Sequence, residues 1–529
     1  MKTYDVLVMG GGHNGLVAAA YLAKAGKSVL VLERADKCGG GVMTRELTLP
    51  GYKHDVHSSS HVMLLGNPMM RNDELGLKSK FGLEYRIKEK AQATVFDDGS
   101  YLVTHRDPEK TAESIAQFSR KDADAYLAFA QRGQNMLPMF MQGLYAPPAP
   151  LGPFMAMMTS SAEGRDIFDM MNRSPLDLVN EMFEDDRVKQ HVLRPPTELL
   201  QFPDDMGTGT ALFMFPALMN EFGSPKAVGG SGALADALLK AIAHFGGEVK
   251  TGSEVAKVVT RSGRAVGLQM ADGDEYLARD AVIAQIHPAK LGHFVDELDP
   301  VLAKRASRGK FSAFNVMLLH YALNKPLRFH AGDELPEVQM VHYANHRKFS
   351  DFMKQLDPLR HGELGDELVL SGQDQTYVDP SRAPDGKGVA FTQALVPFEL
   401  ADGGLAGWDA IKEGVAEKVI RDAGRFVSNL TPENILAMDV NTPADWLEHS
   451  PNSFVNGDIH GLGGYFFQNG GMRPIAELAD YRVPDIEGLY LTGPFMHPGG
   501  SVFGAGRNTV MNTFRDLKID FDAVAGASV

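Results

Sequence analysis

Two kinds of apolar spacing divide this sequence. Short unbroken apolar runs bounded by glycine, such as Tyr4–Met9, Ser28–Leu32 and Ala281–Ala284, predict parallel strands buried on both faces. Between the first two, Gly15–Ala25 carries its apolar residues at helical spacing and Gly26 supplies a C-cap. Residues 4–34 therefore predict one compact βαβ unit. Residues 51–105 alternate turns with short strands, and Asp97-Asp98-Gly99-Ser100 predicts a hairpin turn between Thr94–Phe96 and Tyr101–Thr104.

From Pro108 to Phe222 the spacing is helical, and methionines crowd in at Met136, Met139, Met141, Met155, Met157 and Met158. Flexible thioethers fill irregular apolar gaps. Two readings stay open: a substrate channel or membrane-dipping lid that brings in Phe213 or Phe215, and a methionine-rich helical core. After Gly229-Gly230-Ser231-Gly232 a helix is predicted over Ala233–His244, then strands over Glu248–Lys250, Ala256–Arg261, Ala265–Met270, Glu275–Ala278 and Ala281–Ala284. Residues 311–400 read as strands and long loops. Trp408–Val427 is an amphipathic helix, and Thr442-Pro443-Ala444-Asp445 carries the capping signals that start another.

A chain of 529 residues exceeds what one hydrophobic core usually supports, so more than one structural region is expected. A net charge of −15 argues against nucleic-acid binding. The sole cysteine, Cys38, leaves no disulfide framework, no CxxC redox pair and no cysteine-based zinc site. No segment approaches the ~20 apolar residues that span a bilayer, and the first residues lack a cleavage motif, so a cytoplasmic protein is expected. A peripheral membrane contact and a homo-oligomer remain open.

The chemistry concentrates in three glycine-rich segments. Gly10-Gly11-Gly12-His13-Asn14-Gly15 is G-x-G-x-x-G between a predicted strand and a predicted helix, where glycines let a pyrophosphate approach the helix N-terminus. Glu33 follows at the end of the second strand, about 20 residues on, where an acid hydrogen-bonds an adenosine ribose. Glu33-Arg34 leads into Cys38-Gly39-Gly40-Gly41, Thr44 and Arg45, a run that lets the chain pass against phosphates and ring, which favours FAD over NAD. The third segment holds Gly488–Gly493, His497-Pro498-Gly499-Gly500-Ser501-Val502 and Gly504–Asn508, a strand, a turn and a helix start that can face reduced-flavin charge.

These blocks, with the GGSGALADALLKA stretch, resemble the phytoene desaturase and carotenoid dehydrogenase family. The nearest branch is that of the pyridine nucleotide-disulphide oxidoreductase domain-containing proteins; retinol saturase is more distant. The resemblance spans nearly the full length and is weakest over 106–225 and 311–440. It implies an α/β protein: a Rossmann-type, glutathione-reductase-like FAD-binding domain assembled from residues 1–105, 226–310 and 440–529, with an α+β substrate domain from 106–225 and 311–439. It implies non-covalent FAD held by Gly10, Gly12, Gly15, Glu33, Gly40, Gly41, Val255, Gly493 and Gly500, with His13, Asn14, Arg34, Thr44, Ser501 and Val502 beside them. The chain departs from the family at Gln285-Ile286-His287-Pro288, where Asn-Ala-Asp-Pro is usual, and at Ser501, where a third glycine is usual.

Hydride transfer demands mainly geometry, so side-chain candidates are few. His497, beside the flavin by resemblance, and Arg507, on the last helix, are the candidates for acting on substrate. His54, His57 and His61 are assigned structural or flavin-side roles, and no metal site is expected. The expected activity is FAD-dependent dehydrogenation, or the reverse saturation or an isomerisation, of an apolar small molecule, with quinone, oxygen or a protein as electron acceptor. A flavin amine or alcohol oxidase using oxygen, and a non-catalytic flavin-stabilised interaction protein, are the alternatives.

Overall fold

The computed structural model describes residues 2–500 and 503–529. The apolar runs at the two ends of the chain lie side by side in one sheet. Its parallel part runs Leu489–Leu491, Glu275–Ala284, Lys2–Met9, Val29–Leu32 and Glu248–Lys250. The strand Glu275–Ala284 is shared. Its last residues pair with Leu489–Leu491, and its first pair antiparallel with Arg264–Met270, which in turn pairs with Val255–Arg261. The two segments predicted at Glu275–Ala278 and Ala281–Ala284 are thus one strand.

Side-chain alternation along these strands explains the layers. Val6, Val8, Val29, Val31, Ala281 and Ile283 face the helices His13–Lys24, Gly232–His244 and Ala505–Leu517. Leu7, Met9, Leu30, Leu32, Val282 and Ala284 face the opposite core, with Leu291, Phe294 and Leu302. A sheet covered on both sides requires the unbroken apolar runs seen in the sequence.

A second sheet runs Ile435–Asn441, Asn315–Leu323, Gly388–Val396, Leu370–Asp374, Val341–Ala344, Lys90–Phe96 and Tyr101–His105. In it Val316, Leu318 and Leu395 face the helical region between Pro108 and Phe222, while Met317, Leu319 and Ala394 face the helix Gly407–Ala423. Residues 90–105, placed by the sequence in the cofactor half, belong to this sheet. Lys90–Phe96 pairs parallel with Val341–Ala344, and Ala93 and Val95 bury into its core. Of the two readings of the methionine-rich stretch, Met136, Met158 and Met170 fill the helical core, as does Phe213. Among the described residues no helix is long and apolar enough to cross a membrane.

One buried carboxylate ties the loop after the strand Leu370–Asp374 to the turn before the helix Gly232–His244. Asp55 pairs with Arg382 at 2.8 Å, with both side chains 3 % exposed or less. It also accepts hydrogen bonds from Thr44 Oγ1 (2.9 Å), the Ser231 backbone (2.8 Å) and Gln375 Nε2 (3.2 Å). Burial opposes the charge, but Arg382 and these donors together hold the carboxyl below its ordinary 3.8. A depressed carboxyl contributes its full stability above the ordinary value and loses it as pH falls through the depressed one. Asp55→Ala is expected to cost about 3–5 kcal/mol, read as a lower thermal midpoint at saturating FAD. The deficit should be constant across neutral pH and shrink only in acid below 3.8.

Candidate active site

A cavity of about 380 Å³ runs from the first glycine motif to the second sheet. At one end lie Gly10, Gly12, His13 and Asn14, with Glu33, Arg34 and Val255 on the flank and Gly40 and Gly41 opposite. Gly10 takes φ +99°, which favours glycine, and Gly12 is the N-cap of the helix His13–Lys24. A Cβ on Gly12 would stand 3.0 Å from Gln285 Oε1, and one on Gly40 would meet Gly12 Cα at 3.0 Å. The glycines therefore keep a groove open at a helix N-terminus, as an anionic pyrophosphate needs. Glu33 is pre-set at the rim. Its carboxylate accepts from Gly11 N at 2.6 Å and Ala35 N at 2.8 Å, which fixes it beside Val255 in the wall. This cradle fits the dinucleotide of FAD.

Other predicted contacts serve the frame. Gly15 lies under the wall, and a Cβ there would run into the Gly10 carbonyl and the Gln285 amide. Gln285, the departure from the family pattern, donates from Nε2 to Gly10 O at 2.6 Å and so fixes the turn. Thr44 is absent from the wall because its hydroxyl is committed to Asp55 and to the Gly232 backbone, 2.8 Å away. Gly493 makes room for the Phe495 ring and Gly500 for the His460 backbone; Gly499 and Phe503 take their place in the wall. Ser501 and Val502 lie outside the described residues. Cys38 packs under Gly11, its thiol pushed up to about 12 by burial, and is inert.

The two proposed catalytic side chains point elsewhere. His497 Nε2 bonds to Gly143 O at 2.9 Å, and burial pushes the imidazole down to about 4. Arg507 pairs with Glu74 through two contacts of 2.9 and 3.0 Å and donates to Tyr145 O at 3.2 Å. Asn508 Nδ2 reaches Leu144 O and Ala146 O, each at 3.1 Å. These three side chains satisfy the last carbonyls of the helix Arg120–Leu144 and its exit, which have no partner within the helix. Neither His497 nor Arg507 lines the cavity; resemblance located the segment without revealing this helix end.

The opposite end of the cavity is built from Leu200, Val316, Met340, Phe454 and Ile459, with Glu198, Gln393 and His460 as its polar groups. The methionine-rich helices contribute little here, contrary to the expectation of a channel; Phe213 packs on Phe129 instead. Sequence reading missed Glu198 and Gln393. The signals were Pro195-Pro196, which end the helix Asp186–Thr197 at Glu198, and a lone amide inside the apolar strand Gly388–Val396.

The histidines His54, His57 and His61 do not converge on one point. His54 bonds Thr48, His61 bonds Tyr85, and His57 sits edge-on to Trp446 and Phe454; burial pushes each down to about 3. Among the described residues no His, Cys, Asp and Glu group could hold a metal ion. Lys226 is buried behind Ser59, a wall residue, donating to Ser59 Oγ at 3.2 Å and Gln373 Oε1 at 3.0 Å, and burial pushes its ammonium down to about 7.

Comparison with known proteins follows the same outline. The family model described as flavin containing amine oxidoreductase matches residues 15–505. A subunit of the limonene dehydrogenase of Castellaniella defragrans is 26% identical over 98% of this chain and 96% of its own. Pyridine nucleotide-disulfide oxidoreductase domain-containing protein 2 of Mus musculus is 28% identical over 97% of this chain and 94% of its own. An oxidoreductase from Methanosarcina mazei superposes with a TM-score of 0.62 at 16% identity, covering 97% of this chain and 100% of its own.

Gly15→Ala is expected to weaken FAD retention at least about tenfold, since neither the Gly10 carbonyl nor the Gln285 amide can yield without opening the turn. Gly414→Ala, on the exposed face of the helix Gly407–Ala423 with open space about its Cβ, should keep its flavin; the flavin-to-protein absorbance ratio after gel filtration checks both. Lys226 gives a pH dependence of the same sign as Asp55 but in a different range. Below about 7 the folded state bears a buried charge; between there and the ordinary 10.5 the unfolded chain binds the extra proton, so stability rises with pH. Lys226→Met should therefore gain on the wild type by about 4 kcal/mol more at pH near 6 than near 10, read from thermal midpoints at saturating FAD.

Proposed function

We propose, because the chain belongs to the flavin containing amine oxidoreductase family, that it dehydrogenates an apolar small molecule held against the flavin. It is an FAD-dependent oxidoreductase. The observation that carries the substrate reading is the continuity of one cavity from the glycine cradle to the apolar wall of Leu200, Val316, Met340 and Ile459. The limonene dehydrogenase and the phytoene desaturases among the relatives are named for apolar substrates, which supports it.

In this reading Gly10, Gly12, His13 and Asn14 receive the pyrophosphate, Glu33 and Val255 the adenosine, and Gly499 and Phe503 the flavin end. The cofactor half comprises residues 1–89, 226–310 and 442–529, and the substrate half the rest. When bound, FAD supplies a two-electron acceptor for a hydride. The chain's own residues then orient the substrate C–H bond and exclude water, since hydride transfer at about 3–3.5 Å depends on placement. Reoxidation falls to a quinone, oxygen or a protein carrier.

The protein should purify yellow and release FAD on denaturation. Under anaerobic conditions an apolar hydrogen donor such as limonene or a longer isoprenoid should bleach the flavin, whereas a diamine such as putrescine should not. Bleaching by amines alone, with peroxide released on admitting air, would establish the oxidase alternative in its place.

A further inference from the structure

The substrate end of the cavity holds a polar arrangement that a hydrocarbon does not need. Glu198 stands one turn after Arg194, and the two meet at 3.0 Å. Arg194 keeps 4 % of its side chain accessible and Glu198 keeps 22 %, and it is Glu198 that lines the cavity. Behind them His342 Nδ1 lies 3.6 Å from Glu198 and 3.3 Å from Arg194 Nη2, with its imidazole held well below the ordinary value by burial, and Arg194 also reaches Leu370 O at 3.4 Å. From across the cavity wall Gln393 donates its Nε2 to Glu198 Oε2.

Two features of this group narrow what it could meet. First, its charges cancel: the Glu198 carboxylate has Arg194 as counter-ion, and burial raises the Glu198 carboxyl, so an ammonium ligand would find no free negative charge. Second, most of the polar surface turned to the cavity accepts. One Gln393 N–H is engaged by Glu198, which leaves its second N–H to donate and its Oε1, with the two Glu198 oxygens, to accept. His460, further along the wall, bonds through Nδ1 to Leu199 O at 3.2 Å, so its Nε2 is an acceptor too. A hydroxyl on an apolar body, which donates and accepts at once, matches such a wall; a carbonyl meets only the single free Gln393 N–H, and a pure hydrocarbon leaves the acceptors dry.

We propose that Glu198 and Gln393, backed by Arg194, form the anchor for a hydroxyl group, so that the substrate is an apolar alcohol held by its hydroxyl with its hydrocarbon body in the cavity. This rests on the apolar-substrate reading above and specifies the class within it. Glu198 and Gln393 are positioning residues here: they fix which carbon faces the cofactor cradle, and they take no part in the transfer itself.

The test is selectivity in binding, measured on the FAD-loaded protein under anaerobic conditions from the perturbation of the flavin spectrum. Three probes share one skeleton: limonene, perillyl alcohol and perillyl amine. Wild type is expected to bind the alcohol about ten- to a hundredfold more tightly than limonene, as for a hydrogen bond to a charged group, and more tightly than the amine. Gln393→Leu, which keeps the Arg194–Glu198 pair, should erase most of that preference, read as the ratio of alcohol to limonene affinity, with FAD content as the check on folding. Glu198→Leu should do the same if it folds, for which flavin content is the check; Gln393→Leu carries the test in either case. Equal binding of alcohol and hydrocarbon by wild type, a preference for the amine, or a preference that survives in Gln393→Leu would overturn the anchor while leaving the apolar reading intact. Binding of none of the three would overturn both.

Discussion

The arrangement depends on how closely two helices approach at their N-termini. The helix Ala505–Leu517 meets the helix His13–Lys24 at Gly506, where a Cβ would collide with the Asn14 carbonyl and stand 3.0 Å from Val17 Cβ. Asn14 Oδ1 accepts from the Gly506 backbone at 3.0 Å, which leaves a side-chain amide holding the start of the second helix. This contact brings the beginning of the sequence and its far end to the same wall. With it, two partially positive helix ends stand beside one cavity, a favourable setting for an anionic cofactor.

The helical half is fastened at a point of similar need. A long helix, Arg120–Leu144, ends against the cofactor half with its last carbonyls buried, and His497, Arg507 and Asn508 supply the donors. An uncapped buried helix end is costly, so polar residues grouped beside a glycine-rich turn need no chemistry to explain them. Asp55 plays the matching part between the loop after Leu370–Asp374 and the turn before the helix Gly232–His244, and Lys226 shows what burial does to a charge with only neutral hydrogen-bonding partners.

What could be read in advance follows from range. The βαβ unit, the glycine cradle and the strand runs rest on local spacing, and Gly10, Gly12, Glu33 and Val255 stand together in the cavity wall because a strand, a turn and a helix already place the first three. The family resemblance carried the fold further, to a cofactor half assembled from separated segments and the closing segment near Gly493, while the shared strand Glu275–Ala284 read as two. What stayed hidden depends on long-range pairing. Lys90–Phe96 reads as a hairpin arm in either half until its parallel partner Val341–Ala344 is known. Glu198 and Gln393 are 195 positions apart, and nothing in either neighbourhood announces the other. His497 and Arg507 lie in a segment near the cavity, but their bonding partners turn them toward the end of the helix Arg120–Leu144, a direction that local sequence does not carry.

The helix crossing at Gly506 also bears on how the protein is made. Synthesis proceeds from the N-terminal end and early segments fold as they emerge, so the strand–turn–helix of residues 2–32 exists on the ribosome long before its counterpart. Yet Asn14 has no Gly506 to hold, and the cavity no closing wall at Gly499 and Phe503, until residues 499–517 have been released. For that interval the floor of the cradle is open to water and to other chains. The cradle therefore takes its final form only once that segment has docked against the strand–turn–helix made first.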